Sequence, residues 1–490
     1  MADDGARALS VDICVIGAGS GGLSVAAGAA QLGATTVLIE RHLMGGDCLN
    51  SGCVPSKALL AAAKAARHWR SDRAFGVFYE PPRVDFPAVG AHVHGVIAAI
   101  APNDSVERFE GLGVKVVKGA ARFVGATEVE VASPEDGGGP VRIRARRIVV
   151  ATGSSAAVPP IPGLADVPYL TNETVFDNSD LPRHLIVIGG GPIGLEMAQA
   201  HRALGSEVTV LDVARILPKD DPELVEILRA RLAEDGVALR ELVKIERIER
   251  SAADGDAGGI AVVLEGGERL VGSHLLVAAG RKPTVAGLDL EKAGIAYGPK
   301  GIQVDGRLRT TNKDVYAVGD VSGGPQFTHV AGYHAGIVIR NALFRLPAKV
   351  DYRALPWVTY TEPELAQVGL TEEAARQQHG GADALSILRW PFHENDRAQT
   401  ERETHGLVKV VATKKGKVLG ASIIGAHAGE LIQTWGLMIQ QEIPLKALAG
   451  MIAPYPTLGE ASKRAAGSFF TPQLFSGKTR ALVRFLKLFG

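Results

Sequence analysis

The sequence predicts an α/β fold in which one strand–turn–helix–strand unit occurs twice and a separate α+β region follows. The first observation is a buried strand, a glycine-rich turn, a helix and a second strand close to the N-terminus. The second is the same succession of elements, whose glycine turn recurs 172 positions later. The third is a change in composition near residue 350, beyond which glycine turns are fewer and aromatic residues more common. A chain of 490 residues is too long for one hydrophobic core, so several domains are expected.

The first unit runs from an apolar strand at residues 11–16 through a helix that ends near residue 32 to a strand at 36–39. The glycines of its GxGxxG turn are Gly17, Gly19 and Gly22. They allow the backbone to approach a pyrophosphate held at the helix N-terminus, and Glu40 after the second strand can accept a ribose hydroxyl. Because every flanking element is present, the unit predicts dinucleotide binding.

The second unit repeats this arrangement with a strand at 184–188, a helix at 196–204 and a strand at 208–211 that leads into Asp212. The glycines of its turn are Gly189, Gly191 and Gly194. The first glycine and the acid are 23 positions apart in both units. Two complete fingerprints predict two Rossmann-like domains and two bound dinucleotides.

Two of the three cysteines, Cys48 and Cys53, lie four residues apart in the run GGDCLNSGCVPSK. An ideal helix would separate them by about 7.5 Å along its axis, whereas a disulfide needs Cα atoms roughly 4.4–6.8 Å apart, so we expect a distorted turn. Pro55 suits the first turn of the helix that follows, which places Cys53 near a helix N-terminus and favours its thiolate. The alternative is a buried structural pair. A redox pair beside the first unit favours a flavin and a nicotinamide as the two dinucleotides.

The intervening segments are helical in pattern over residues 67–119 and strand-like over 114–131, with a surface turn at 133–140. Buried strands at 148–153 and 275–280 end in glycine turns, the second after a loose turn at 251–259.

A third such strand, at 315–319, ends at Asp320. The plain interpretation is that Asp320 only caps this strand. The functional alternative is that Asp320 forms a hydrogen bond with a ribityl hydroxyl of a flavin. Beyond residue 350 we expect a capped helix at 371–376, neighbouring strands at 407–411 and 418–424, and a helix at 430–441.

Composition excludes several classes of function. Lys plus Arg and Asp plus Glu both number 53, so the overall field attracts neither nucleic acid nor anionic surfaces. No apolar run approaches the ~18 residues of a membrane helix. The acidic start lacks the features of a signal peptide, and three cysteines without a framework indicate a reducing compartment. We therefore expect a cytoplasmic enzyme, peripheral at a membrane if its C-terminal helix docks there.

Over nearly its whole length the chain resembles the class I pyridine nucleotide–disulfide oxidoreductases, the family of dihydrolipoamide dehydrogenase, glutathione reductase and mercuric reductase. The resemblance rests on the cysteine run, both fingerprints, the ATG turn at 151–153, the motifs at 279–284 and 315–320, and the segment 361–369. It implies FAD on the first unit, NAD(P)H on the second and a homodimer. The implied cofactor-binding residues outside the two fingerprints are Gly46, Thr152, Gly153, Gly280, Arg281, Gly319 and Asp320.

The resemblance also implies a domain order. Residues 1–155 would form the first part of the FAD-binding domain, 156–280 the NAD(P)H-binding domain, 281–348 the region that completes the FAD domain, 349–475 the α+β dimerisation domain, and 476–490 a basic amphipathic C-terminal helix.

By the same analogy, Cys48 and Cys53 form a disulfide against the flavin, with Cys53 as the flavin-proximal thiol and Cys48 as the interchange thiol. Lys57 and Glu196 match the family pair near the flavin and the nicotinamide. An acid at Asp212 accepts ribose hydroxyls and repels a 2′-phosphate, which favours NADH, although the nearby Arg215 leaves NADPH as an alternative.

The chain departs from most of the family near its C-terminus, where Tyr455 stands in place of the histidine that serves as acid/base, while Glu460 is present. A tyrosine titrates near 10 and is a poor base at neutral pH. Mercuric reductase also has tyrosine here, but no cysteine follows Cys53 in this sequence, so the vicinal pair that delivers metal in that enzyme is missing. Tyr455 either acts at the partner subunit's cysteines, together with Glu460, or is merely a packed aromatic. No resident metal site is predicted.

The last residues form an amphipathic pattern. Leu482, Phe485, Leu486 and Phe489 share one helical face, and the basic residues are Lys478, Arg480, Arg484 and Lys487. This pattern predicts either a membrane or protein contact, or a helix packed on the dimer.

Three hypotheses follow for function. The first is a mercuric-reductase-like flavoprotein that passes electrons to a metal ion or a small electrophile. The second is a dihydrolipoamide dehydrogenase-like disulfide reductase. The third is a membrane-recruited electron-transfer flavoprotein.

Overall fold

The structure is a computed structural model and describes residues 7–71, 75–132, 139–251 and 259–489. Its strands are Arg7–Ile16 (β1), Thr36–Glu40 (β2), Val114–Lys118 (β3), Ala121–Gly125 (β4), Glu128–Val131 (β5), Val141–Val150 (β6), Ser154–Ala156 (β7), His184–Ile188 (β8), Glu207–Leu211 (β9), Val237–Arg240 (β10), Ile245–Ser251 (β11), Gly259–Leu264 (β12), Arg269–Gly272 (β13), His274–Val277 (β14), Arg281–Pro283 (β15), Tyr297–Gly298 (β16), Gly301–Ile302 (β17), Val315–Ala317 (β18), Pro356–Thr359 (β19), Glu364–Gly369 (β20), Leu385–Pro391 (β21), Leu407–Thr413 (β22) and Val418–Gly425 (β23).

Its α-helices are Ser20–Gln31 (α1), Gly46–Asn50 (α2), Cys53–Ser71 (α3), Phe86–Ile100 (α4), Val106–Gly111 (α5), Pro192–Leu204 (α6), Pro222–Glu234 (α7), Thr328–Ala342 (α8), Glu372–His379 (α9), Asp396–Glu401 (α10), Ala428–Gln440 (α11), Leu445–Gly450 (α12), Glu460–Ser468 (α13), Thr471–Leu474 (α14) and Gly477–Leu486 (α15). The chain divides into two compact units. Unit 1 comprises residues 1–189, 203–206 and 245–350, and unit 2 comprises 190–202, 207–244 and 351–490.

Unit 1 is built on a sheet with the strand order β3-β2-β1-β6-β5-β4, in which β18 also pairs with β6. The pairs β1·β2, β1·β6, β2·β3 and β18·β6 are parallel. Alternate residues of β1 enter different core clusters, since Cys14 and Ile16 pack in one and Ile13 and Val15 in the other. A strand buried on both faces is expected of a parallel sheet and explains the continuous apolar run.

The carboxyl ends of the parallel strands in unit 1 position the site. Gly17 follows β1, Glu40 ends β2, and Gly319 and Asp320 follow β18. Because neighbouring parallel strands end at one edge of the sheet, these residues lie in the crevice where open α/β folds bind ligands. Unit 1 also contains the parallel pair β8·β14 and the antiparallel sheet β11-β12-β13.

Unit 2 holds the parallel pair β9·β10 and a five-stranded antiparallel sheet with the order β19-β20-β23-β22-β21. A core cluster covers this sheet and includes the fully buried Trp435, whose Nε1 donates to Ser462 Oγ at 3.1 Å. The predicted strands 407–411 and 418–424 are β22 and β23 and pair antiparallel. The predicted cap at Thr371 is also confirmed, because its side chain accepts a hydrogen bond from the backbone N–H of Ala374.

The α/β class and the repeated units are confirmed, with differences at the element ends. Helix α6 begins at Pro192 rather than at residue 196, because the turn passes directly into the helix. The expected helical stretch 67–119 is interrupted, since residues 77–85 contain no helix and β3 begins at residue 114. The turns expected at 133–140 and 251–259 fall largely on residues 133–138 and 252–258, which lie outside the described residues.

Candidate active site

The two cysteines predicted to be redox-active lie on two helices separated by a break. Cys48 is in the five-residue helix α2, and Cys53 is the first residue of α3. Gly46 has φ +61°, and a Cβ on it would lie 2.6 Å from the Cα of Gly19. The distorted turn expected from the spacing is therefore present, and it brings the cysteine segment against the first glycine turn.

Both cysteines are free thiols in the structure and differ in acidity. A hydrogen bond from Cys48, supported by Thr328 and the charge of Lys57, lowers the pKa of Cys53 to about 6 against the opposing effect of burial. The same hydrogen bond, with burial, raises the pKa of Cys48 far above its ordinary value. At neutral pH the reduced site thus holds a thiolate on Cys53 and a thiol on Cys48.

Hydroxyl groups contact both sulfur atoms. Thr328, the first residue of α8, has its Oγ1 3.4 Å from Cys53 Sγ. The hydroxyls of Thr328 and Ser20 also form hydrogen bonds with Cys48. Thr328 is not predictable from the sequence, because it lies 275 positions from Cys53 and no motif marks it.

Polar contacts hold the cysteine helix from its first turn. Asn172 Nδ2 donates to Asp47 Oδ1 at 3.1 Å and to the carbonyl of Ser51 at 3.3 Å. Arg281 pairs with Asp47 at 3.2 Å and with Asp320 at 3.7 Å. Arg281, which the sequence predicts to bind a cofactor, therefore connects the cysteine helix to the end of β18. Asp47 and Asn172 also lie in the site, although the sequence did not predict them.

The first glycine turn forms a close backbone cradle. A Cβ on Gly22 would lie 1.8 Å from the carbonyl oxygen of Gly17, so only glycine fits there. Glu40 Oε2 accepts the N–H of Ala18 at 2.6 Å, and its Oε1 accepts the N–H of His42 at 2.7 Å. No side chain among the described residues caps the N-terminus of α1, and its first turn has no acid. These features fit the diphosphate of a dinucleotide.

The segment after β18 is buried and held by neighbouring side chains. Gly319 donates its N–H to His334 Nδ1 at 3.1 Å, and burial lowers the pKa of His334 to about 4, so that histidine is neutral. Burial raises the pKa of Asp320, which accepts a hydrogen bond from Ser154. In the ATG turn, Thr152 Oγ1 donates to the carbonyl of Thr284 at 2.7 Å.

The second glycine turn repeats the first in its contacts. Asp212 Oδ2 accepts the N–H of Gly190 at 2.6 Å, and Oδ1 accepts the N–H of Ala214 at 2.7 Å. Glu196 on α6 is buried and accepts the N–H of Tyr360 at 2.9 Å. Asp212 at the end of β9 is thus fixed by two backbone N–H groups, as Glu40 is at the end of β2.

Tyr455 lies on the surface of unit 2 with 68% of its area exposed. Its hydroxyl donates to Asp396 Oδ2 at 2.9 Å, and this carboxylate raises the pKa of the tyrosine. Asn395, next to Asp396, donates to the carbonyl of Thr457 at 3.1 Å. Two contacts therefore hold residues 454–459, which we call the tyrosine loop, against the start of α10. Glu460 is the first residue of α13.

The predicted site residues fall in both units. Unit 1 contains Gly17, Gly19, Gly22, Glu40, Gly46, Cys48, Cys53, Lys57, Thr152, Gly153, Gly189, Gly280, Arg281, Gly319 and Asp320. Unit 2 contains Gly191, Gly194, Glu196, Asp212, Tyr455 and Glu460. Lys57 is half-buried, one turn after Cys53, with its Nζ 3.4 Å from Ser56 Oγ.

A thiolate–thiol pair beside one dinucleotide cradle, with a second cradle in the same chain, defines the class of flavoprotein disulfide oxidoreductases. The model of the pyridine nucleotide-disulphide oxidoreductase family matches residues 11–335, and that of the family's dimerisation domain matches residues 355–466. The chain belongs to this family. It is an NAD(P)H-dependent flavoprotein that uses FAD, and its dimerisation domain supports a homodimer.

Named relatives cover almost all of the chain. It is 37% identical to a mercuric reductase of Bacillus cereus, over 94% of this chain and 71% of the relative. It is 36% identical to a dihydrolipoyl dehydrogenase of Thermus scotoductus, over 93% of this chain and 96% of the relative. The Cu(II) complex of the HOCl-induced flavoprotein disulfide reductase RclA from Escherichia coli superposes with a TM-score of 0.83 at 29% identity, over 94% of this chain and 99% of that one. None of the described helices is long and apolar enough to cross a membrane.

Proposed function

We propose that this enzyme passes electrons from NAD(P)H, by way of FAD and the Cys48–Cys53 pair, to a metal ion or another small electrophile. The observation that carries the proposal is Tyr455 in place of the histidine base. Its hydroxyl donates to Asp396, and its pKa is raised further above the ordinary value near 10. Such a group is a poor proton acceptor at neutral pH, so it cannot readily serve dithiol–disulfide exchange.

The acidity of the two cysteines supports the same acceptor. Exchange with a disulfide substrate requires Cys48 to attack as a thiolate, yet its pKa is raised. A soft metal ion removes this requirement, because thiol coordination displaces the proton directly. Cys53 is a thiolate at neutral pH, since its pKa is lowered to about 6. With mercuric ion the net reaction would be NAD(P)H + Hg²⁺ → NAD(P)⁺ + Hg⁰ + H⁺.

In this reaction, the following residues of the chain would bind the cofactor and carry the electrons. Bound FAD supplies hydride acceptance from NAD(P)H and transfer of an electron pair to the cysteines. The backbone of the first glycine turn would hold its diphosphate, and Glu40 a ribose. Cys53 would lie next to the flavin with Lys57 and Thr328 stabilising its negative charge, and Cys48 would meet the acceptor.

Asp212 supports NADH as the preferred coenzyme. Its carboxylate is fixed at the end of β9 by two backbone N–H groups, where a negative charge favours ribose hydroxyls and repels a 2′-phosphate. Glu196 would lie beside the nicotinamide, oriented by its hydrogen bond with Tyr360. NADPH stays the alternative coenzyme because of Arg215.

The homodimer is part of the proposal. Tyr455 and Glu460 would act at the cysteines of the other subunit. The exposed ring of Tyr455 is accessible for this contact. The exposed C-terminal helix supports, in addition, a peripheral contact of a cytoplasmic enzyme with a membrane or a protein. This contact is independent of the electron acceptor.

A dihydrolipoamide dehydrogenase-like activity is the second candidate. It is favoured by the dihydrolipoyl dehydrogenase of Thermus scotoductus at 36% identity and by the presence of Glu460. Tyr455 would then have to be tolerated as an acid/base.

The test is steady-state oxidation of NADH and of NADPH by the holoenzyme with mercuric ion, cupric ion or lipoamide as the acceptor. We expect turnover with a metal ion, preference for NADH and poor turnover with lipoamide. Cys48→Ser should lower metal-dependent turnover at least about a hundredfold, because the acceptor loses one of its two thiols.

Cys14→Ala is the matched control, because Cys14 is buried in the core and has no role in the reaction. It should keep wild-type turnover. Full metal-dependent activity in Cys48→Ser would contradict the proposed route through the cysteines, and fast lipoamide reduction by the wild type would support the second candidate instead.

A further inference from the structure

Helix α15, Gly477–Leu486, lies near the C-terminus and is left uncovered by the other described residues. Helix α15 has no buried residue. Its N-cap is Ser476, whose side chain accepts the N–H of Thr479, and Thr479 Oγ1 donates to the carbonyl of Gln473 at 2.7 Å. The segment is attached to unit 2 through Phe469 and Phe470, which pack against the core cluster of the antiparallel sheet.

The apolar side of α15 is a continuous stripe exposed to solvent. Leu482, Phe485 and Leu486 lie on one face of α15 at the i, i+3 and i+4 spacing, and Phe489 follows the end of the helix. These four residues are 54%, 55%, 52% and 75% exposed. The rings of Phe485 and Phe489 contact each other at 5.2 Å. Single exposed apolar residues are ordinary, but a stripe of four large ones indicates a binding surface.

The opposite side of the same helix is basic. Arg480, Arg484 and Lys487 recur at i, i+4 and i+7, which places them on one face away from the apolar stripe. After Glu460 the chain contains six Lys and Arg residues and no Asp or Glu. A chain with equal numbers of acidic and basic residues therefore concentrates positive charge at this end.

The stability of α15 also points to an external surface. A helix of 10 residues is marginal in water unless tertiary packing covers its apolar face. The match to the dimerisation domain ends at residue 466, before α14 and α15, so the segment lies outside the part of the chain that this model covers. Pairing with α15 of a second copy would bring like charges together, which disfavours that occupant.

We propose that residues 476–490 dock the enzyme on an anionic lipid surface. The apolar stripe would enter the boundary between headgroups and acyl chains, and the arginines and lysines would lie at the level of the lipid phosphates. The proposal makes no use of Tyr455, Glu460 or the cysteines, so it is independent of the identity of the electron acceptor.

The test is flotation of the full-length holoenzyme with vesicles of equal parts phosphatidylcholine and phosphatidylglycerol, compared with vesicles of phosphatidylcholine alone. We expect binding to the anionic vesicles only, weakened by salt. The triple variant Arg480→Gln, Arg484→Gln, Lys487→Gln should lose affinity roughly fivefold for each cation, or about a hundredfold in all. The double variant Leu482→Ser, Phe485→Ser should also lose binding.

The matched control replaces three exposed lysines elsewhere in unit 2, Lys414→Gln, Lys415→Gln and Lys446→Gln, and should bind as the wild type does. Absence of binding to anionic vesicles would overturn the proposal. So would flotation that survives removal of residues 476–490, or an apolar variant that binds normally. A shift from dimer to monomer mass after that removal, without any change in flotation, would identify α15 as a subunit contact instead. NADH-dependent turnover in solution, measured on the same variants, keeps the result separate from the redox proposal.

Discussion

At the scale of residues, the site depends on an asymmetry between two chemically identical side chains. Cys53 begins α3 and lies within 3.4 Å of the Thr328 hydroxyl, whereas Cys48 lies inside α2 and donates its proton toward Cys53. Lys57, one turn further along α3, adds positive charge. Cys53 is therefore a thiolate above about pH 6, whereas Cys48 stays protonated at neutral pH. Only Cys53 can then react without a base.

This asymmetry predicts a pH dependence. Because the pKa of Cys53 is lowered to about 6, the thiolate should be present at neutral pH and lost as the pH falls through about 6. In the NADH-reduced holoenzyme the thiolate–flavin charge-transfer absorbance should follow this titration. Thr328→Val should move the midpoint upward, because the thiolate loses a hydrogen-bond donor.

Ser20→Ala is the matched control, since the Ser20 hydroxyl contacts Cys48 and should leave the midpoint of Cys53 unchanged. A midpoint above pH 8 in the wild type would show that the contacts around Cys53 do not stabilise its thiolate.

Sequence patterns predicted the cysteine pair, both glycine turns and the acids that end β2 and β9, because each depends on neighbouring residues in the chain. They could not predict Thr328, Asn172 or Asp396, whose roles arise from contacts over 275, 125 and 59 positions. They assigned Arg281 to the cofactor, which stays a prediction, and they could not show its ion pairs with Asp47 and Asp320. Tertiary contacts of this kind leave no periodic signal in the sequence.

At the scale of elements, a buried lysine joins helix α7 to the antiparallel sheet of unit 2. Lys409 on β22 is 4% exposed and contacts three carboxylates, Asp221 at 2.8 Å, Glu223 at 2.9 Å and Glu372 at 2.8 Å. Arg389 on β21 also pairs with Glu223 at 2.7 Å. Burial alone would lower the pKa of Lys409, but hydrogen bonds with the carboxylates raise it. Helix α7 is thus fixed at its N-cap, Asp221, by charge pairs rather than by apolar packing alone.

Lys409→Met should lower the free energy of unfolding of unit 2 by about 3–5 kcal/mol, because it leaves the buried carboxylate of Asp221 without its charged partner. Urea denaturation followed by tryptophan fluorescence measures this, since Trp357, Trp390 and Trp435 all lie in unit 2. Lys417→Met, which removes an exposed pair with Glu442, is the control and should cost less than about 1 kcal/mol. Equal effects of the two substitutions would mean that the buried cluster adds no special stability.

At the scale of the whole molecule, the pyridine nucleotide-disulphide oxidoreductase model matches residues 11–335 and the dimerisation-domain model matches residues 355–466. The domain boundaries at residues 155, 280, 348 and 475 stay predictions. Two segments carry the proposals made for this chain, the tyrosine loop and the C-terminal helix. The proposal on the electron acceptor rests on the first segment, and the proposal on lipid docking rests on the second.

The most direct measurement of the central claim is the ratio of kcat/KM for mercuric ion to kcat/KM for lipoamide, in the wild type and in Tyr455→His. We expect a ratio far above one in the wild type. Tyr455→His should lower it by raising lipoamide turnover about a hundredfold, the typical contribution of a general base. Tyr455→Phe, which removes the hydroxyl without adding a base, should leave lipoamide turnover low. A wild type that reduces lipoamide as fast as mercuric ion, with no gain in Tyr455→His, would contradict the account.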